Sequence, residues 1–62
     1  MKKELYNEKS TYKIVYKDEG RTKTAKGSIV FYDNNFTSIM FDDGFTLSIN
    51  NNVIISVAEV SK

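Results

Sequence analysis

The chain contains no cysteine and no histidine in its 62 residues. The first absence removes disulfide bridges, and the two together remove the usual zinc sites. A catalyst would then have to rely on a carboxylate pair or on an activated Lys or Tyr. The acidic residues are scattered among turn-like stretches, and none shows calcium-loop spacing. No enzyme, no resident metal and no cofactor is therefore expected. No apolar run approaches the roughly 20 residues of a membrane helix. The opening MKKELYNEKS has basic residues but no apolar core behind them, unlike a signal peptide. A membrane partner is not expected, and the cytoplasm is the expected compartment.

A chain this short makes one domain and buries only about 60% of the surface its unfolded form exposes. With no covalent or metal staple, oligomerisation is the expected source of further buried surface. Net charge is only +1, but it is unevenly placed. Residues 1–26 carry eight basic and four acidic side chains, and residues 27–62 carry one and four. Lys13, Lys17, Arg21, Lys23 and Lys26 lie in the basic part. They can form a lateral surface for an anionic partner such as RNA, or an ordinary solvated face.

Residues 2–9 favour helix by propensity, with Leu5 and Tyr6 as the apolar side chains. Eight residues is too short for a stable isolated helix. Residues 1–10 are thus expected to form a helical turn or tail, followed by one all-β domain over residues 11–60. Residues 12–17 alternate cleanly, with Tyr12, Ile14 and Tyr16 on one face and Lys13, Val15 and Lys17 on the other. Asp18-Glu19-Gly20 makes a turn in which the glycine can take positive φ. Residues 22–32 form a long strand whose Gly27 marks a bend, the device by which a small sheet turns a corner.

Asp33-Asn34-Asn35, Asp42-Asp43-Gly44 and Asn50-Asn51-Asn52 are turn signals that separate strands at residues 36–41, 45–49 and 53–57. On the third strand Phe36, Ser38 and Met40 share one face, and Thr37, Ile39 and Phe41 the other. On the last strand alternation groups Val53, Ile55 and Val57 against Ile54, Ser56, Ala58 and Val60. That leaves a surplus apolar face, to be covered either by a second subunit or by the N-terminal segment around Ile54. One long bent strand and four short ones predict a small closed barrel.

Gly27, Ile29, Tyr32-Asp33 and Phe36 fall at the spacing of the first half of the Sm signature, and residues 49–57 are similar in length and apolar pattern to its second half. Over about residues 11–58 the chain resembles the Sm-like (LSm and Hfq) family of small β-barrels. Two departures stand out: Thr37 occupies the usual Asn position, and Asn50 to Asn52 replace an aromatic, a Lys and a His. The resemblance implies a strongly bent five-stranded barrel of the SH3-like/Sm-like kind. It further implies an RNA-binding homo-oligomeric ring of five to seven subunits that takes single-stranded RNA. Nucleotides would then meet Asp33, Asn35, Phe36 and Thr37 together with Asn50, Asn51 and Asn52 in loops around a central pore.

Each of these residues also has a structural reading. Gly27 bends the strand without any ligand. Asp33 can accept hydrogen bonds within its own turn. Phe36 suits a base stack or a buried core. The asparagines suit base edges, or a turn in which φ becomes positive. The second functional expectation is a monomeric or dimeric SH3-like protein-interaction module, a regulatory or phage-type accessory protein that binds no nucleic acid. Tyr12, Tyr16, Phe31 and Tyr32 would form its contact patch.

Overall fold

The computed structural model describes residues 9–60, so the helical turn or tail expected around Leu5 and Tyr6 lies outside the described residues. Strands form where apolar and polar residues alternate. β1 spans Thr11–Asp18, β2 Arg21–Tyr32, β3 Phe36–Met40, β4 Thr46–Asn50 and β5 Ile54–Val60, with a 3-10 turn at Asn51–Val53 before β5. Every pairing is antiparallel, in the order β4-β3-β2-β1-β5. The all-β, five-stranded architecture is as expected. Closure of the barrel by hydrogen bonds is not observed, because no ladder among the described residues joins β4 to β5. Both remain edge strands of one bent sheet.

Gly27 is the hinge of that sheet. Tyr12↔Gly27 is the last rung between β1 and β2, and Ser28↔Met40 begins the ladder between β2 and β3. A Cβ at position 27 would lie 2.1 Å from the Met40 carbonyl oxygen. Only glycine admits so close an approach of one backbone to another. Beyond the bend the two halves of the sheet close on a core of Tyr12, Ile14, Ala25, Ile29, Ile39 and Ile49. Ile14 from one half and Ile39 from the other are fully buried. Burial of such a side chain contributes about 1.5–3 kcal/mol.

The turns follow their residue chemistry. Glu19 and Gly20 have φ of 53° and 79°, the positive pair required by a two-residue hairpin turn. In the β3–β4 connection the Gly44 N–H donates to the Phe41 carbonyl at 2.9 Å, and the Phe41 N–H to the Phe45 carbonyl at 2.8 Å. Gly44 has φ 94°. This is a three-residue hairpin loop closed by a glycine in the left-handed region.

Two register shifts set which side chains face out. Between β1 and β5 the pairing passes from Val15↔Ser56 to Tyr16↔Ile54. Ile55 is left as the extra residue, 55% exposed. Ile54 and Val57 therefore both pack on the core. The expected grouping of Val53, Ile55 and Val57 on one face is corrected accordingly. Between β2 and β3 the pairing passes from Ile29↔Ile39 to Phe31↔Ser38, with Val30 as the extra residue. Tyr32 consequently turns inward and Phe31 outward.

Candidate nucleic-acid interface

The loop after β2 and the turn after β4 meet, and Asn51 joins them. Asp33 Oδ1 accepts from the N–H groups of Asn35 and Phe36, each at 2.8 Å, which makes the Asx turn. Asn51 donates its backbone N–H to the Asn35 carbonyl and its Nδ2 to the Asp33 carbonyl, both at 2.8 Å. Its Oδ1 accepts from the Thr37 hydroxyl at 2.7 Å. Asn50 Oδ1 accepts from the Asn52 N–H at 2.8 Å, which caps the 3-10 turn. The expected loop residues are thus brought together, but Asp33, Thr37 and Asn51 spend polar atoms on one another. Thr37 is buried, whereas Asn35, Phe36, Asn50 and Asn52 stay exposed. No Lys or Arg stands in these loops.

The basic set divides between two faces. Lys13 lies directly across from Lys26, and Lys17 follows on the same outward face of β1. Arg21 and Lys23 occupy inward-facing positions at the far end of β2, where Arg21 pairs in register with Asp18. Lys23 Nζ lies 2.8 Å from Asp18 Oδ2. The hydrogen bond to Asp18, and then its charge, raise the Lys23 pKa above the ordinary lysine value. Among the described residues, no outward-facing strand position carries a carboxylate. Glu19, Asp33, Asp42 and Asp43 lie in turns, and Asp18 and Glu59 take inward positions near strand ends. This separation of sign arises from strand register and is not visible in the net charge.

The outward face of β2 and β3 exposes large apolar side chains, whereas that of β4 carries Thr46, Ser48 and Asn50. Phe31 is 53% exposed, Phe36 44% and Met40 39%. Between them sits Ser38, whose hydroxyl is 2.7 Å from that of Ser48 on β4. Phe36 is therefore a surface residue and not part of the core. Tyr12 is buried and Tyr32 packs on the core, so the expected four-aromatic contact patch does not form. Sequence alternation alone groups Phe31 with Ile29 and hides its exposure; the Val30 bulge carries no local signature.

An open groove of about 330 Å³ runs between the end of the β1–β2 hairpin and edge strand β4. Tyr16, Leu47, Ile49 and Val53 form its apolar part, and Lys17, Asp18 and Glu19 its charged rim. Among the described residues no three acidic side chains gather as a metal site, and no helix is long and apolar enough to cross a membrane.

Comparison with family models, with curated proteins and with solved structures finds no match to this chain. Its functional reading rests on its own residues.

Proposed function

We propose that this chain is a cytoplasmic RNA-binding protein of the Sm-like kind, acting as a homo-oligomeric ring and binding its partner without catalysis. The observation that carries the reading is the outward sheet face. Among the described residues, Lys13, Lys17 and Lys26 share it with no carboxylate. Like charges directly across a ladder destabilise a sheet, so the Lys13–Lys26 juxtaposition is a cost that an anionic partner would offset. Phosphate attraction dominates nucleic-acid affinity, which favours this face over the lysine-free loops. The two open edges, β4 and β5, support assembly by edge-to-edge pairing between copies, and exposed Ile55 on β5 adds apolar surface there. Repetition around a ring multiplies a weak site.

Absolute mass by light scattering after gel filtration tests the ring. Five to seven subunits are expected, and a monomer at high concentration overturns the assembly. Filter binding of short uridine- and adenine-rich RNAs at two salt concentrations tests the face. Changing Lys13, Lys17 and Lys26 to Ala is expected to flatten the log–log salt dependence by about 2, at roughly 0.7 per phosphate contact for single strands. Binding unchanged by the triple substitution overturns this face as the RNA site, and absence of binding by the unaltered chain overturns the RNA reading.

A second reading, a monomeric or dimeric protein-interaction module, is favoured by the groove beside β4. An extended peptide added to that edge would place alternate side chains against Tyr16, Leu47 and Ile49. A monomer without RNA affinity, in which Leu47→Asp abolishes capture of an extended peptide, would favour it.

A further inference from the structure

We infer that the apolar half of the outward face is a contact surface for a second copy of this chain, two sheets packing face to face across Phe31, Phe36 and Met40. The inference goes beyond the RNA reading and does not depend on it. Pairing through this face doubles whatever unit the edge strands build, a single chain included.

Exposure is concentrated on this face. Among the described residues, seven large hydrophobic side chains are exposed, against six hydrophobic residues in the core. Four of the seven, Val30, Phe31, Phe36 and Met40, stand together on β2 and β3. Ile29 and Tyr32 point to the core, so the bulge between them turns both Val30 and Phe31 outward. At about 200 Å² for a whole phenylalanine side chain, Phe31 and Phe36 together leave about 200 Å² uncovered. Val30 and Met40 bring the face to roughly 350 Å², the size of the largest apolar patch on an ordinary monomer. Two such faces with their polar rims bury about 1,000 Å² in all, the lower bound for a specific interface. The contact is therefore weak and concentration-dependent.

The middle of the face is ready to be dry. Ser38, between Phe36 and Met40, is only 8% exposed, and its hydroxyl meets that of Ser48 at 2.7 Å. Covering this pair leaves neither hydroxyl without a partner. Thr46 and Asn50 on β4 lie at the polar margin, so the face has the apolar centre and polar rim of a protein interface.

Charge selects the occupant. Residues 28–31, 36–40 and 46–50 contain no charged side chain. Along the chain the nearest basic residue before the face is Lys26, beyond the Gly27 bend, and the next after it is Lys62. A phosphate backbone or a charged protein segment finds no counter-charge here, whereas two copies meet without like-charge repulsion. A two-fold contact asks only that a patch complement itself. An axis near Ser38 lays Phe36 of one copy over Met40 of its partner, with the sheets at the usual spacing of about 10 Å.

Light scattering of the full chain over a dilution series tests this. Average mass is expected to rise toward twice that of the smallest unit. Sodium sulfate strengthens apolar contacts and should favour the rise, whereas salt weakens phosphate contacts. In proton–nitrogen spectra of the same series, the amides that shift should fall within residues 28–31 and 36–40. Phe31→Ser and Met40→Ser, with folding checked by circular dichroism, should each weaken pairing about tenfold or more and leave the smallest unit unchanged. Ile55→Ser, on the β5 edge, should leave the doubling intact. A mass that never exceeds the smallest unit overturns the inference and leaves the face to another protein. Doubling that survives both Phe31→Ser and Met40→Ser, or that Ile55→Ser removes, places the contact at the sheet edges and overturns it. Amide shifts on this face produced by a uridine-rich RNA and not by concentration assign it to nucleic acid, which also overturns it. A smallest unit of one chain that still doubles overturns the ring and leaves the pairing standing.

Discussion

The Thr37 hydroxyl donates to Asn51 Oδ1 at 2.7 Å, across 14 residues of sequence. This bond fastens the first residues of β3 to the 3-10 turn, and the Nδ2 of the same Asn51 fastens that turn to the Asp33 carbonyl. One amide therefore holds two loops in place.

Asn51→Ala removes both side-chain bonds and leaves the buried Thr37 hydroxyl without its acceptor. An unsatisfied buried group costs about 1–3 kcal/mol, and a chain of this length is stable by only about 3–9 kcal/mol. The urea midpoint is expected to fall clearly, with the slope unchanged. Asn51→Asp keeps the acceptor for Thr37 but faces the Asp33 carbonyl with an oxygen, so it should rescue only part of the loss.

Gly27→Ala is expected to be the most damaging single substitution. The new Cβ would sit 2.1 Å from a backbone oxygen, and backbone cannot rotate aside as a side chain does. A loss of about 3 kcal/mol or more is expected, a third or more of the total stability. The urea midpoint reads this directly. An unchanged midpoint would contradict the close approach.

Glu19→Asn should stabilise the protein. Glu19 holds φ at 53°, where a residue other than Gly, Asn or Asp costs roughly 1–2 kcal/mol. A gain of about 0.5–1 kcal/mol should raise the melting temperature by about 2–8 °C in a domain this small. Calorimetry of the two proteins gives the comparison.

The Lys23–Asp18 pair should contribute to stability on the alkaline side in a defined direction. Folding raises the lysine pKa above its ordinary 10.5. The contribution is therefore complete below that value and is lost as pH rises through the folded pKa. Asp18→Asn should bring the Lys23 pKa back toward the ordinary value, as followed by NMR of the lysine side chain. Both partners are close to half exposed, so salt should weaken the pair.

Much of the fold is legible in the residues. The alternation of Tyr12, Ile14 and Tyr16, and of Leu47 and Ile49, assigns inward faces correctly because a buried face demands period two. Gly27 identifies the bend, and Asp42-Asp43-Gly44 identifies its hairpin. Asp33 followed by two asparagines signals an Asx turn by residue type alone. The candidate site is less legible. Three asparagines in a row suit a turn more strongly than a base, and only the contacts of Asn51 with Asp33, Asn35 and Thr37 reveal which atoms are already engaged. Phe36 opens an apolar strand and yet stays at the surface.

The sequence by itself determined the five strands to within three residues at each end, which turns join them, and that eight of the nine basic residues precede Gly27. Those properties depend on local backbone preference and on residue order, which need no partner strand. Tertiary structure decided the rest: that Val30 and Ile55 are the extra residues, that Phe31 faces water, and that Lys13 and Lys26 meet across one ladder while Lys23 turns to Asp18. A bulge is a mismatch between two strands, so neither strand encodes it alone. Moving one residue out of register exchanges the two faces of everything beyond it.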